Sequence, residues 1–176
     1  MPNPKNEVRR SSYVIFFPLL FVMLIFEIMH LPASIAAYRP DFMATLVLFF
    51  MSKDPKRINV GIAWISGLIL DLIAGAPFGI NALTLALQVF IVGTQFRHFA
   101  DFMVWQQMII IGIVNLVSHI GVYWLGHLIG QSSYTTHFSL QALITLLIWP
   151  IMLGIYRFLW YFFRVSSVSS KPEQEL

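Results

Sequence analysis

Residues 67–81 read Gly-Leu-Ile-Leu-Asp-Leu-Ile-Ala-Gly-Ala-Pro-Phe-Gly-Ile-Asn. Asp71 lies inside an apolar run, where an ionised carboxylate without a partner is costly in lipid and in a protein core alike. Gly75 and Gly79 can take positive φ, and Pro77 between them cannot continue a helix. The stretch therefore predicts a helix, a tight turn and a returning helix, with an acid about one turn before the bend.

The composition of the whole chain places this hairpin in a membrane. The 176 residues are 58% hydrophobic and 11% charged, with a mean hydropathy of +0.76. An ordinary soluble surface needs far more charge, so we predict an integral membrane protein. The net charge of +3 does not indicate nucleic-acid binding, because the basic residues form short clusters between apolar runs. The chain has no cysteine, which excludes disulfides and thiolate metal sites.

Six apolar runs predict an all-α fold of six transmembrane helices. The second run has only 12 residues, which reach about 18 Å against a hydrocarbon core of about 30 Å. The second helix must either extend back to include residues 33–38 or cross a thinned region of the membrane where protein surrounds it. The fifth run reaches about 42 Å and must tilt, bend or extend beyond the membrane. The runs are 13–29, 41–52, 58–74, 80–96, 102–129 and 138–163.

The distribution of Lys and Arg predicts the orientation of these spans. With six spans, ten of the 11 basic residues fall on one side and only Arg39 on the other. Both termini should therefore be cytoplasmic, with outer loops at 31–40, 75–79 and 130–137. We predict a cytoplasmic tail over 1–12, a transmembrane domain over 13–163 with an uncleaved first span, and a disordered cytoplasmic tail over 164–176.

Four charged residues should meet near the outer face, and the single cation among them suggests an ion pair. Glu27, Arg39, Asp41 and Asp71 all fall in one leaflet. We predict that Arg39 bridges the second span to Asp71, because its guanidinium group matches a carboxylate. The alternative is that Arg39 and Asp41 are solvated while Asp71 bonds to Asn81 or to backbone at the turn. Packing or pairing roles are favoured over transport or catalysis.

Small residues on the third span indicate a close helix contact. Ala63, Gly67, Asp71 and Gly75 recur every four residues and so share one face. We expect a close helix contact on that face, and Ala82 and Ala86 repeat the spacing on the fourth span. The predicted polar network is Arg39, Asp41, Asp71 and Asn81, and the predicted packing and turn residues are Gly67, Gly75, Pro77 and Gly79.

The fifth span carries polar residues whose spacing does not favour a metal site. Asn115 and His119 share a face, but His127 lies two turns further on, and no carboxylate accompanies them on the span. Polar contacts between helices explain them better. The chain also lacks a nucleophile elbow, a phosphate loop and a facing pair of membrane aspartates. We therefore expect neither an enzyme nor a bound cofactor or metal.

Two segments together resemble a known family. Arg39-Pro40-Asp41 opens the short second span, and Gly67-x-x-x-Asp71-x-x-x-Gly75-x-Pro77-x-Gly79-x-Asn81-Ala82-Leu83 follows it. This pattern, the size and the six spans resemble the rod shape-determining protein MreD family. The resemblance implies a non-enzymatic subunit of the bacterial cell-elongation machinery in the inner membrane. The implied partners are MreC and, through it, MreB, RodA and an elongation-specific penicillin-binding protein, with membrane lipid and no nucleic acid.

The same resemblance supplies an alternative function. The MreD family is similar in fold to the six-helix substrate-binding subunits of energy-coupling-factor vitamin transporters. Those subunits dock through an Ala-x-x-x-Ala motif in the first span, whereas residues 13–29 contain no alanine. That difference argues against transport, although a pocket among Trp64, Asp71, Asn115 and His119 would be compatible with a small-molecule substrate.

Overall fold

The structure is a computed structural model that describes residues 11–29, 31–32, 38–96, 98–128 and 138–163. Across these residues the fold is all-helical, with six α-helices and one 3₁₀ turn. Each helix begins and ends within two residues of an apolar run predicted from the sequence. The helices are α1 (Tyr13–Ile28), α2 (Phe42–Lys53), α3 (Val60–Ala74), α4 (Ile80–Gln95), α5 (Val104–Leu128) and α6 (Phe138–Phe162), and the 3₁₀ turn is Phe99–Asp101.

The short helix α2 forms the centre of the bundle. It packs against α1, α4 and α6 and more lightly against α3, and nine of its 12 residues are buried. Of the two alternatives for the short second run, the helix does not extend back through Pro40, since Asp41 is its N-cap. Its side chains meet other helices on every face. A helix that is apolar all round is expected in such a position.

The helices differ in their length and in their capacity to cross a bilayer. Within α5, Val104–Trp124 is long and apolar enough to cross a membrane, and so is Ser139–Phe162 within α6. The other four helices are apolar but have only 12 to 16 residues. The six-span topology therefore stays a prediction. The predicted tail residues 1–10 and 164–176, and the predicted outer loop at 130–137, lie outside the described residues.

The hairpin between α3 and α4 is the most extensive helix pairing of the fold. Gly75 ends α3 with φ of 64°, and Gly79 precedes α4 with φ of 96°. Both values lie in the left-handed region that favours glycine. The carbonyl of Pro77 accepts a hydrogen bond from the Ile80 amide at 3.2 Å. The turn is thus built by the residues that the sequence marks as helix breakers.

Candidate functional site

The carboxylate of Asp71 is enclosed by the turn that follows it. Asp71 is 1% exposed. Its two oxygens accept the backbone amides of Gly79 at 2.9 Å, Asn81 at 3.0 Å and Ala82 at 3.3 Å. The side-chain amide of Asn81 donates a fourth hydrogen bond at 2.9 Å. One carboxylate therefore satisfies four donors at the point where α4 begins.

This arrangement gives α4 an N-cap that comes from the preceding helix. The local N-cap residue is Gly79, which has no side chain to accept the free amides of the first turn. Asp71 accepts the amides of Asn81 and Ala82 instead, which a Ser or Asp at the N-cap would ordinarily do. Its negative charge also lies at the positive end of the helix dipole of α4. The cost of burying this acid is thereby offset within the hairpin itself.

The predicted ion pair between Arg39 and Asp71 is wrong. Among the residues that the structure describes, the guanidinium group of Arg39 donates to the carbonyl oxygens of Glu27 and Met29. For Asp71 the structure agrees with the alternative drawn from the sequence, since Asn81 and the turn backbone donate to it. The solvated Asp41 of that alternative is wrong, because Asp41 is buried. Arg39 thus satisfies carbonyls at the end of α1, which no following turn of helix covers.

Glu27 completes a reciprocal contact between α1 and α2. Its Oε2 accepts the backbone amide of Phe42, the first residue of α2, at 3.2 Å. Arg39, which precedes α2, covers the end of α1, while Glu27, near the end of α1, covers the start of α2. The rings of Phe26 and Phe42 pack beside this contact with centroids 5.6 Å apart. The two residues thus hold the end of α1 against the start of α2.

Gly67 lies where α3 and α4 come closest. A Cβ atom placed on Gly67 would lie 2.3 Å from Cα of Ala82, 2.6 Å from its amide nitrogen and 2.7 Å from the carbonyl oxygen of Asn81. These neighbours are backbone atoms, which cannot rotate away. Ala63, one turn earlier on α3, is fully buried. This face therefore allows the two backbones to approach as small residues do in membrane helix pairs.

The second polar centre surrounds Asp41 in the middle of the bundle. Its Oδ1 accepts the amide of Ala44 at 2.8 Å as the N-cap of α2. Its Oδ2 accepts the side-chain amide of Asn115 at 2.9 Å and that of Gln88 at 3.3 Å, and lies 3.5 Å from Nε2 of His119. The backbone amide of Asp41 donates to Oγ1 of Thr145 at 2.8 Å. We call Asp41, Gln88, Asn115, His119 and Thr145 the Asp41 cluster.

The Asp41 cluster corrects one expectation and confirms another. Asn115 and His119 do make polar contacts between helices, as predicted. From the sequence, no carboxylate was expected beside them, and Asp41 was expected with Arg39 near the outer face; the structure places Asp41 against them. Gln88 and Thr145 were not identified as site residues. A usable signal was present, because a polar side chain in the middle of an apolar run needs a partner.

The geometry of the cluster suits a structural role. Asp41 joins α2 to α4 and α5 through its carboxylate and to α6 through its backbone amide, and a buried carboxylate is costly unless it is fully bonded. Trp64, which the sequence analysis grouped with Asp71, Asn115 and His119 in a pocket, is 41% exposed. Asp71 is enclosed by its own turn. Within the described part of the chain, no group of three His, Cys, Asp or Glu side chains is arranged for a metal ion.

A double substitution tests whether Arg39 and Asp71 act independently of each other. Because Arg39 and Asp71 share no hydrogen-bond partner, we expect Asp71→Ala and Arg39→Ala to be additive within about 0.5 kcal/mol in the free energy of unfolding. Asp71→Ala alone should cost about 2–4 kcal/mol, since it removes a charged acceptor and the N-cap of α4. Denaturant titration of the purified protein in micelles measures these values. A coupling energy above about 1 kcal/mol would contradict this expectation and support an ion pair between Arg39 and Asp71.

The fold and these two centres define a class of protein: a helical bundle, compatible with a membrane, whose buried acids bind its own helices together. The chain belongs to the MreD family, whose model, described as rod shape-determining protein MreD, matches residues 9–159. The chain is also similar to the rod shape-determining protein MreD of Haemophilus influenzae (strain ATCC 51907 / DSM 11121 / KW20 / Rd). The two are 23% identical over 139 residues, which cover 77% of this chain and 82% of that protein. No solved structure matches the chain significantly.

This membership establishes the broad function. The family consists of membrane-associated proteins that determine rod shape. It is a structural family and is not known for an enzymatic activity.

Proposed function

We propose that this chain is a non-enzymatic scaffold subunit of the bacterial cell-elongation complex in the inner membrane. In this role it binds MreC and, through that contact, links peptidoglycan synthesis by RodA and an elongation-specific penicillin-binding protein to MreB. The family match over residues 9–159 is the observation that carries the proposal. The partners are those that the resemblance to the family implies.

The described residues also support a bundle that spans the bilayer six times with its termini in the cytoplasm. The α3–α4 turn and Arg39 belong to one end of the bundle; Lys53 ends α2 at the other end, and Lys56 and Arg57 follow it. An excess of Lys and Arg marks the cytoplasmic side. Large apolar side chains are exposed along both long helices, for example Ile113 and Val117 on α5 and Leu147 and Ile151 on α6. Exposed apolar surfaces of this kind are favourable when lipid surrounds them.

The scaffold role agrees with how the bundle uses its polar groups. Asp71 holds the α3–α4 hairpin together, and Asp41 joins four helices. Contacts of this kind give a bundle one fixed arrangement, which a partner helix can then recognise on its apolar surface. The partner contact is expected on a lipid-facing groove that accepts a single helix.

The proposal is tested by asking which proteins stay attached to the chain. We expect mild detergent extraction of the tagged chain from its host to recover MreC, together with RodA, the penicillin-binding protein and MreB. Recovery of an ATPase module without these proteins would contradict the scaffold role and indicate a transporter subunit. Tight one-to-one binding of a vitamin by the purified protein would do the same.

Paired crosslinking positions refine this test. Phe21 on α1 is 66% exposed and its neighbour Leu20 is 6% exposed; Phe90 on α4 is 54% exposed and its neighbour Val89 is 2% exposed. With a photo-crosslinking residue at each position, MreC should be captured from Phe21 or Phe90 and not from the buried neighbour. Equal capture from exposed and buried positions would mean that the bundle is not folded as described.

A further inference from the structure

A basic pair lies where α2 and α6 meet at the end of the bundle opposite the α3–α4 turn. Lys53 is the last residue of α2, and Arg157 lies in the last turns of α6. Aromatic side chains hold these two segments side by side: the ring of Trp160 lies 5.7 Å from Phe50 and 6.2 Å from Phe49, and Tyr156 lies 5.3 Å from Phe49. Lys53 lies one turn beyond Phe49, on the same face of α2.

Lys53 and Arg157 are both partly buried. Burial and, next, the positive charge of Arg157 lower the pKa of the Lys53 ammonium below its usual value, while the carboxylate of Asp101 raises it. Within the described residues the ion pairs are Arg57 with Asp54 and His119 with Asp41, so neither Lys53 nor Arg157 has a salt bridge there. Lys53 and Arg157 are thus two half-buried cations side by side, and the nearby carboxylate of Asp101 forms a salt bridge with neither. This arrangement favours the binding of an anion.

The surroundings of the pair match a lipid rather than a free anion. Phe158, Tyr161 and Phe162 on α6 are 67%, 74% and 69% exposed around Arg157, and the rings of Phe158 and Phe162 stack at 6.0 Å. Tyrosine collects at the level of lipid headgroups, and Tyr161 lies one turn beyond Arg157 on the same face of α6. Ile151 and Ile155, which precede Arg157 on α6, continue the exposed face of Phe158 and Phe162 and offer an apolar surface to an acyl chain.

We propose that Lys53 and Arg157 bind the phosphate of an anionic phospholipid in the leaflet on that side of the bundle. The headgroup phosphate lies between the ammonium and guanidinium groups, and the acyl chains follow the exposed face of α6. This site goes beyond the scaffold role but rests on the proposed placement of the bundle in a bilayer. It gives the bundle a preference for anionic membrane regions.

Lipid nanodiscs with and without phosphatidylglycerol test the site. We expect native mass spectrometry to find phosphatidylglycerol retained on the released protein in preference to phosphatidylcholine. Lys53→Gln and Arg157→Gln should each lower this preference about fivefold, since one basic residue near the surface contributes about 1 kcal/mol to anionic lipid binding. Lys56→Gln is the matched control, because Lys56 is exposed and three residues away; it should change the preference less than twofold.

Each remaining outcome overturns one part of the proposal. An equal loss in Lys56→Gln would mean general attraction to a negative surface, without a site. Loss of the preference when inorganic phosphate is added would identify free phosphate as the ligand. Helix content measured by circular dichroism in the same nanodiscs should be unchanged in all three variants, which separates loss of binding from loss of fold. Failure of the unmodified chain to insert into nanodiscs would instead contradict the membrane placement in the proposed function.

Discussion

Gly67→Ala is expected to lower the free energy of unfolding by about 3 kcal/mol, at the upper end of the usual cost of overpacking a core. The new methyl group would lie 2.3 Å from Cα of Ala82, so α3 and α4 must separate along their most extensive contact. Separation also pulls Ala82 and Asn81 away from the carboxylate of Asp71, which loosens the cap of α4. Denaturant titration in mixed micelles, followed by circular dichroism, measures the change.

Gly93→Ala provides the matched control for this result. Gly93 lies in α4, and a Cβ placed there meets no atom within 4 Å. Because alanine is favoured over glycine inside a helix by up to about 1 kcal/mol, Gly93→Ala should be neutral or stabilising. If both substitutions have the same effect, close approach of α3 and α4 at Gly67 is not a source of stability.

Asp41→Leu is expected to cost about 3–5 kcal/mol, the usual range for removing one partner of a buried charged network. The change leaves the side-chain amides of Gln88 and Asn115 and the Ala44 amide of α2 without their acceptor. Asp41→Asn keeps the shape but presents an amide to two amide donors, so it should recover only part of the loss. The same denaturant titration measures both variants.

Two comparisons make the Asp41 result specific. Asp101→Asn removes an exposed carboxylate from the 3₁₀ turn and should change stability by less than about 0.5 kcal/mol. Asn115→Leu combined with Asp41→Leu should cost at least about 1 kcal/mol less than the sum of the two single changes, since each removes the same contact. Additive losses would show that Asp41 and Asn115 act independently, against the description of one cluster.

The positions of the helices and of the α3–α4 hairpin could be predicted from the sequence because both depend on local interactions. Hydrophobic runs bounded by Gly, Pro and charge mark helix ends because those residues act on their own backbone. Gly75, Pro77 and Gly79 specify the turn in the same local way. The four-residue spacing of Ala63 and Gly67 predicts a shared face, since that spacing follows from helix geometry alone.

The partners of the charged residues could not be read from the sequence. Topology places Arg39, Asp41 and Asp71 toward one face, but it gives neither the depth at which α2 begins nor the side chains that face it. Because α2 is short and begins within the bundle, Asp41 reaches Gln88, Asn115 and Thr145, which lie in the interior of α4, α5 and α6. A contact between residues up to 104 positions apart depends on how helices pack, which no local pattern records.

Over the described residues, the sequence by itself determined an all-helical fold, six helix positions and a tight turn after Asp71, because these follow from backbone preferences and apolar periodicity. The tertiary structure alone decided which donors each buried acid meets. Asp71 accepts the amides of its own turn, and Arg39 covers the end of α1, because the fold places those groups within hydrogen-bond distance. A buried charge is stabilised only by groups that reach it in three dimensions, so its role follows from packing.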